Sequence, residues 1–111
     1  MIDHYTLDAN NCPRLAADLH EYYRWKNSLP AETQTGIGVQ LAKTVRGGVC
    51  VSTVYLGSDH SYDDGPPVLW ETMIFGGEHD EACMRYRSHR EAMRGHQYAC
   101  KLYLPVAEVR E

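Results

Sequence analysis

The diglycine Gly47-Gly48, set between two apolar segments over residues 39–56, constrains this chain more than any other feature. A two-residue hairpin turn needs positive φ at both central positions, which glycine supplies without steric penalty. Centring the turn there pairs Val45 with Cys50, Leu41 with Val54 and Val39 with Leu56, all apolar and all on one face. Gln40, Thr44 and Arg46 fall on the other face, and a one-residue slip destroys the agreement. Val68 to Phe75 follows as a β-rich run, with Val68, Trp70 and Ile74 on one side and Leu69, Met73 and Phe75 on the other. Apolar residues on both sides predict a central strand covered on both faces.

The flanking segments complete the pattern. His4 to Leu7 reads as a short edge strand, and Asp8 to Asn11 as a turn. Pro13 suits the first position of a helix, and Leu15, Leu19, Tyr22 and Trp25 or Lys26 recur at helical spacing. Pro30 ends that helix near Asn27. Cys83 to Arg87 reads as a further short strand, and Ser88 with Glu91 has the spacing of a capping box. Ala92, His96, Ala99 or Cys100, and Tyr103 then mark a second helix running to Pro105. Gly95 lies inside it at a cost of ~1 kcal/mol, which points to a close contact. The expected fold is α+β in the order β-α-β-β-β-(β)-α. It comprises a mostly antiparallel sheet of three to five strands, with two helices on one of its faces.

A length of 111 residues matches one domain, 1–111. Hydrophobic residues at 43% and charged residues at 23% exclude a disordered chain, and no apolar run is long enough to span a bilayer. Met1-Ile2-Asp3-His4 lacks the apolar core of an export signal, so the expected setting is cytoplasmic. Cys12, Cys50, Cys83 and Cys100 show no zinc-knuckle spacing and are expected as free thiols. A net charge of −4 argues against general nucleic-acid binding. Charge is nevertheless segregated: residues 47–84 carry seven acids and no Lys or Arg, whereas residues 85–101 carry five bases against Glu91. Such segments either steer a partner or neutralise each other within the fold.

Several residues are candidates for chemistry. Asp59, His60, Glu71, His79 and Asp80 combine imidazole and carboxylate groups near the ends of adjacent strands. His60, Glu71 and His79 are candidate ligands of a divalent metal, with Glu71 and His60 the candidate catalytic groups of a hydrolase. No H-E-x-x-H or H-x-H-x-D spacing accompanies them, and a surface loop with incidental histidines explains the same residues. Glu71 sits between Leu69 and Met73, so it is expected to be buried. A structural carboxylate paired with Arg85 or the 59–67 loop competes there with a general acid/base. Arg87, Arg90 and Arg94 form a candidate basic strip, and His96 reads as a satisfied, semi-buried histidine. Eight Tyr and two Trp against one Phe favour surfaces that are half apolar and half wet. Candidate partner-binding residues are therefore Asp59, His60, Tyr62, Asp63, Trp70, Arg87, Arg90 and Arg94.

The run Val51-Ser52-Thr53-Val54-Tyr55-Leu56-Gly57, then Asp59-His60, Gly65-Pro66-Pro67 and Trp70-Glu71-Thr72-Met73-Ile74-Phe75, resembles a family of small tailed-bacteriophage and prophage proteins. Arg85-Tyr86, Glu91-Ala92 and Gly95-His96 extend the resemblance, which covers roughly residues 39–98. The resemblance implies a phage or prophage origin and action in the host bacterial cytoplasm, without supplying an activity. The expected function is an accessory protein that binds a host protein or small ligand, for instance to blunt a defence. The competing expectation is a small metal-dependent hydrolase with the His/carboxylate site. No cofactor other than that metal is expected, and a homodimer is a further expectation.

Overall fold

The computed structural model describes residues 2–106. Its order is β1 (Tyr5–Leu7), β2 (Pro13–Leu15), α1 (Leu19–Ser28), β3 (Val39–Arg46), β4 (Val49–Tyr55), β5 (Trp70–Phe75), β6 (Cys83–Tyr86) and α2 (His89–Tyr103). Strands β3-β4-β5-β6 form one antiparallel sheet in sequence order, and β1 pairs with β2 in a separate hairpin. The chain is thus α+β, with antiparallel sheets and two helices. No helix among the described residues is long and apolar enough to cross a membrane.

Pro13 does not open a helix. Asp8 Oδ1 accepts from the N–H groups of Asn10 at 2.8 Å and Cys12 at 3.0 Å, and this turn delivers Pro13 opposite Leu7 as an edge-strand residue. The helix starts at a second capping box instead: Asp18 accepts from Glu21 N–H, and Glu21 accepts from Ala17 N–H, both at 2.8 Å. Leu15 therefore belongs to β2 and stays exposed, while Tyr22 becomes the buried residue of α1.

The β3–β4 hairpin turns at Gly47 (φ 58°) and Gly48 (φ 78°) and pairs Val45 with Cys50 as expected. Further along, a bulge between Gln40 and Ala42 shifts the register, so Gln40 faces Val54 and Val39 faces Tyr55. The pairs Leu41–Val54 and Val39–Leu56 are thereby corrected. The Gln40 amide holds the bulge, sharing its two N–H donors among Ala42 O, Ser52 Oγ and Thr53 O at 2.9–3.1 Å.

The helix covers the face of the sheet opposite to the one that carries Val45, Cys50 and Val54. α2 lies over Val49, Val51, Thr53 and Tyr55 of β4 and Trp70, Thr72 and Ile74 of β5. One apolar cluster joins Val49, Val51, Ile74, Ala99 and Leu104; a second joins Tyr55, Leu69, Trp70 and Ala92. Burying each large side chain contributes roughly 1.5–3 kcal/mol. The Ser88–Glu91 capping box opens α2, and Gly95 admits the Tyr86 ring where a Cβ would collide with it.

Only α2 roofs the sheet. α1 touches its end, through Trp25 edge-on to Tyr55 at 5.8 Å and through Tyr22 beside Leu56 and Gly57. The second face of β5 is accordingly open only toward its Phe75 end: Glu71 is buried, Met73 half-buried and Phe75 exposed.

Burial pushes the Tyr22 phenol up to about 12 and raises the Tyr55 phenol further. An unfolded Tyr ionises near 10, so these groups contribute stability that is full below pH 10 and is lost as pH climbs toward 12. Denaturant midpoints measured across that window should fall steeply for the native protein and less for Tyr22→Phe, whose lost hydrogen bond is long at 3.5 Å. Equal slopes would contradict this account.

Candidate binding surface

The 58–67 segment joining β4 to β5 is built around two aspartates. Asp59 Oδ1 accepts from the N–H groups of Ser61 at 2.8 Å and Val68 at 3.0 Å. Burial alone would raise this carboxyl, but those donors outweigh it and hold the pKa below the usual value. Asp63 Oδ1 accepts from Gly65 N–H and from Arg87 Nη2, each at 2.9 Å, and both donors lower its pKa. His60 donates its Nδ1–H to Ser58 O at 2.8 Å, which leaves Nε2 as the free lone pair. Tyr62 stands 95% exposed at the tip.

Beside this loop, Glu71 and Arg85 pair across β5 and β6 at 2.9 Å. Glu71 is only 5% exposed, and its hydrogen bond raises the already high pKa of the guanidinium. Glu71 is thus the structural carboxylate paired with Arg85, one of the two expected roles.

The structure gathers Asp59, His60, Tyr62, Asp63 and Arg87 in one region, with Glu71 next to them. It separates the others. Trp70 lies on the opposite face, fully buried under α2, with its indole N–H unpaired among the described residues. Arg90 and Arg94 project from the outer side of α2 and form no ion pair among the described residues.

His79 follows β5, whereas His60 N–H donates to Val68 O before it begins. A six-residue strand, about 20 Å long, intervenes. His79 packs instead edge-on against Tyr103, with ring centroids 5.1 Å apart. Among the described residues no three His, Cys, Asp or Glu side chains are grouped to hold a metal. The segregated charges do neutralise each other in part, through Arg85–Glu71 and Arg87–Asp63.

On the face away from α2, Val45, Cys50 and Phe75 stand side by side on three adjacent strands, with Met73 and Cys83 next along β5 and β6. Val45 is 61% and Phe75 46% exposed. Sequence reasoning missed this row because it expected the Val68–Phe75 strand to be covered on both faces.

It also missed a polar belt inside the roofed face. Tyr86 OH donates to Thr72 Oγ1 at 3.1 Å; Thr72 Oγ1 lies 2.6 Å from Thr53 Oγ1, which lies 2.7 Å from His96 Nδ1. His96 Nε2 lies 3.0 Å from Thr44 Oγ1, so the belt crosses all four strands of the sheet. Burial holds the His96 pKa below its usual value, which keeps the ring neutral. The one signal available in sequence was the pair Thr53 and Thr72 within otherwise apolar strands, with His96 on an apolar helix face.

Fold and surface together define an antiparallel sheet roofed by one helix, with an open face bordered by an aspartate-anchored loop. No family model matches the chain, and neither a curated protein nor a solved structure is similar to it.

Proposed function

We propose that this chain is a binding module that engages a protein partner through the open face of its sheet. The observation that carries the reading is the row across three strands in which exposed Val45 and Phe75 flank the half-buried Cys50. Single exposed apolar residues are ordinary, but a contiguous row marks an interaction surface. Glu78, Asp80 and Glu81 sit in the turn after Phe75, so a partner that is apolar with basic groups suits the site. Tyr62 and Arg87, residue types enriched among interface hot spots, border the same sheet. A broad sheet face also favours a protein over a small ligand, which requires a concave site.

The resemblance of the strand motifs to tailed-phage and prophage proteins supports an accessory role in which the partner is a host protein. Relief from a host defence is the biological outcome we attach to that setting. Metal-dependent hydrolysis has no comparable support, because His60, Glu71 and His79 do not converge.

A photo-crosslinking residue placed at Phe75 tests the proposal in bacterial cells, with the exposed Tyr98 on α2 as control. The position of Phe75 should capture one defined host protein and that of Tyr98 should not. Phe75→Asp should weaken binding of the captured protein roughly thirtyfold, the ~2 kcal/mol of an aromatic anchor. Equal capture from both positions, or capture of a second copy alone, would refute the reading.

A further inference from the structure

The hydrogen positions in the polar belt follow from burial. Tyr86 donates to Thr72, and Thr72 and Thr53 are both fully buried. Were His96 Nδ1–H to donate to Thr53, the hydrogen of either Thr53 or Thr72 would be buried with no acceptor in the belt. The consistent arrangement runs one way: Thr72 donates to Thr53, Thr53 to Nδ1, and Nε2–H to Thr44 Oγ1. Each bond polarises the next. The one hydroxyl hydrogen without an acceptor in the belt is then that of Thr44, at the outer end.

Thr44 opens into a groove of about 410 Å³ between β3 and the C-terminal half of α2. Arg46, Gln97, Cys100 and Lys101 line it alongside Thr44 and His96, and among the described residues no carboxylate lines it. Arg46 is held there by its Nε–H, which donates to Pro105 O at 2.7 Å, and its terminal nitrogens keep their donors. Lys101 forms no ion pair among the described residues. In a chain of net charge −4, this groove is thus lined by a hydroxyl, a guanidinium and an ammonium, with no carboxylate among the described lining residues.

We propose that this groove binds the phosphate group of a small phosphorylated molecule. A phosphate monoester presents three acceptor oxygens and close to two negative charges, which match the guanidinium fork, the ammonium and the Thr44 hydroxyl together. A carboxylate, with two oxygens and one charge, leaves part of that donor set unused. The remaining volume accommodates the organic portion, since the groove falls within the size range of small-molecule sites. This site lies beneath α2 and is independent of the open sheet face.

The test is an NMR titration of the full chain with inorganic phosphate, ribose 5-phosphate and acetate, at constant pH and ionic strength. The Thr44 and His96 signals should shift saturably with both phosphates, more tightly with the ester, and hardly with acetate. Thr44→Val should weaken ester binding at least roughly tenfold, and Thr44→Ser, which restores the hydroxyl, should recover it. Unmoved Thr44 and His96 signals would overturn the proposal, as would equal binding by acetate. Equal affinity for inorganic phosphate and the ester would overturn the assignment to a phosphorylated molecule.

Discussion

Thr53→Val should lower the stability of this protein by about 2–4 kcal/mol, although the two side chains have nearly the same shape. The hydroxyl of Thr53 serves two buried neighbours: it accepts from Thr72 and donates to His96 Nδ1. Its removal leaves both without partners in a region sealed by the two apolar clusters, and each orphaned group costs about 1–3 kcal/mol. Thr44→Val at the groove mouth should cost less than ~1 kcal/mol, because water replaces the lost contact with His96. Replacing Thr53 and Thr72 by Val together with His96→Met should recover most of the loss, since only the hydroxyls of half-buried Tyr86 and of Thr44 at the groove mouth then lose a partner. Urea unfolding of the four proteins decides the matter; a triple variant no more stable than Thr53→Val would assign the loss to packing.

The same belt sets the acid response. The pKa of His96 is lower folded than unfolded, so the unfolded state binds more protons once pH drops below 6.5. Stability therefore declines as pH falls from 6.5 toward the folded value, above the range where Asp8, Asp59 and Asp63 protonate. The triple variant should be flat through that upper window.

Arg85→Met should have the second large effect, about 2–3 kcal/mol. Breaking a buried ion pair from one side typically costs 3–5 kcal/mol, because the remaining charge is stranded. Here the Arg85 side chain is 37% exposed, and solvent screening reduces the figure. Glu71 is the stranded partner, at 5% exposure. Glu71→Gln alone should cost only ~1 kcal/mol, since Arg85 can turn to water and the amide still accepts a hydrogen bond. Adding Glu71→Gln to Arg85→Met should restore part of the loss, giving a coupling energy above 1 kcal/mol in a double-mutant cycle. Additive effects would show that the pair does not anchor β6 to β5.

The parts of the fold legible in sequence are those decided within a few residues. Gly47-Gly48 specifies the turn, and hence the Val45–Cys50 pair beside it, because positive φ is a local requirement. Ser88 and Glu91 announce α2 for the same reason. The register beyond Ala42 was not legible, since Gln40 bonds Ser52 and Thr53 on the facing strand to hold the bulge. Pro13 misled because the Asp8 turn, rather than the proline, sets the backbone direction there.

At the candidate sites the division is similar. Glu71 with Arg85 was legible from alternation, as was the semi-buried His96. The grouping of His60 with His79 failed because the intervening strand runs straight and holds the two apart. The belt of Thr44, Thr53, Thr72 and Tyr86 was missed because threonines in strands ordinarily reflect β-propensity alone, which masks the signal of Thr53 and Thr72.

Sequence alone determined that this chain turns at a diglycine, combines antiparallel strands with two helices and places a capped amphipathic helix after the last strand. It left undecided which side of the sheet that helix would cover, since β4 carries apolar residues at both parities: Val49, Val51 and Tyr55 on one, Cys50 and Val54 on the other. Tertiary structure made the choice. The first set meets Ile74, Trp70, Ala92 and Ala99 in two closed clusters, and the three groups Thr53, Thr72 and His96 satisfy one another between them. Covering the other face would bury Lys43 and leave that belt unpaired, so the Val45–Cys50–Phe75 row remains outside.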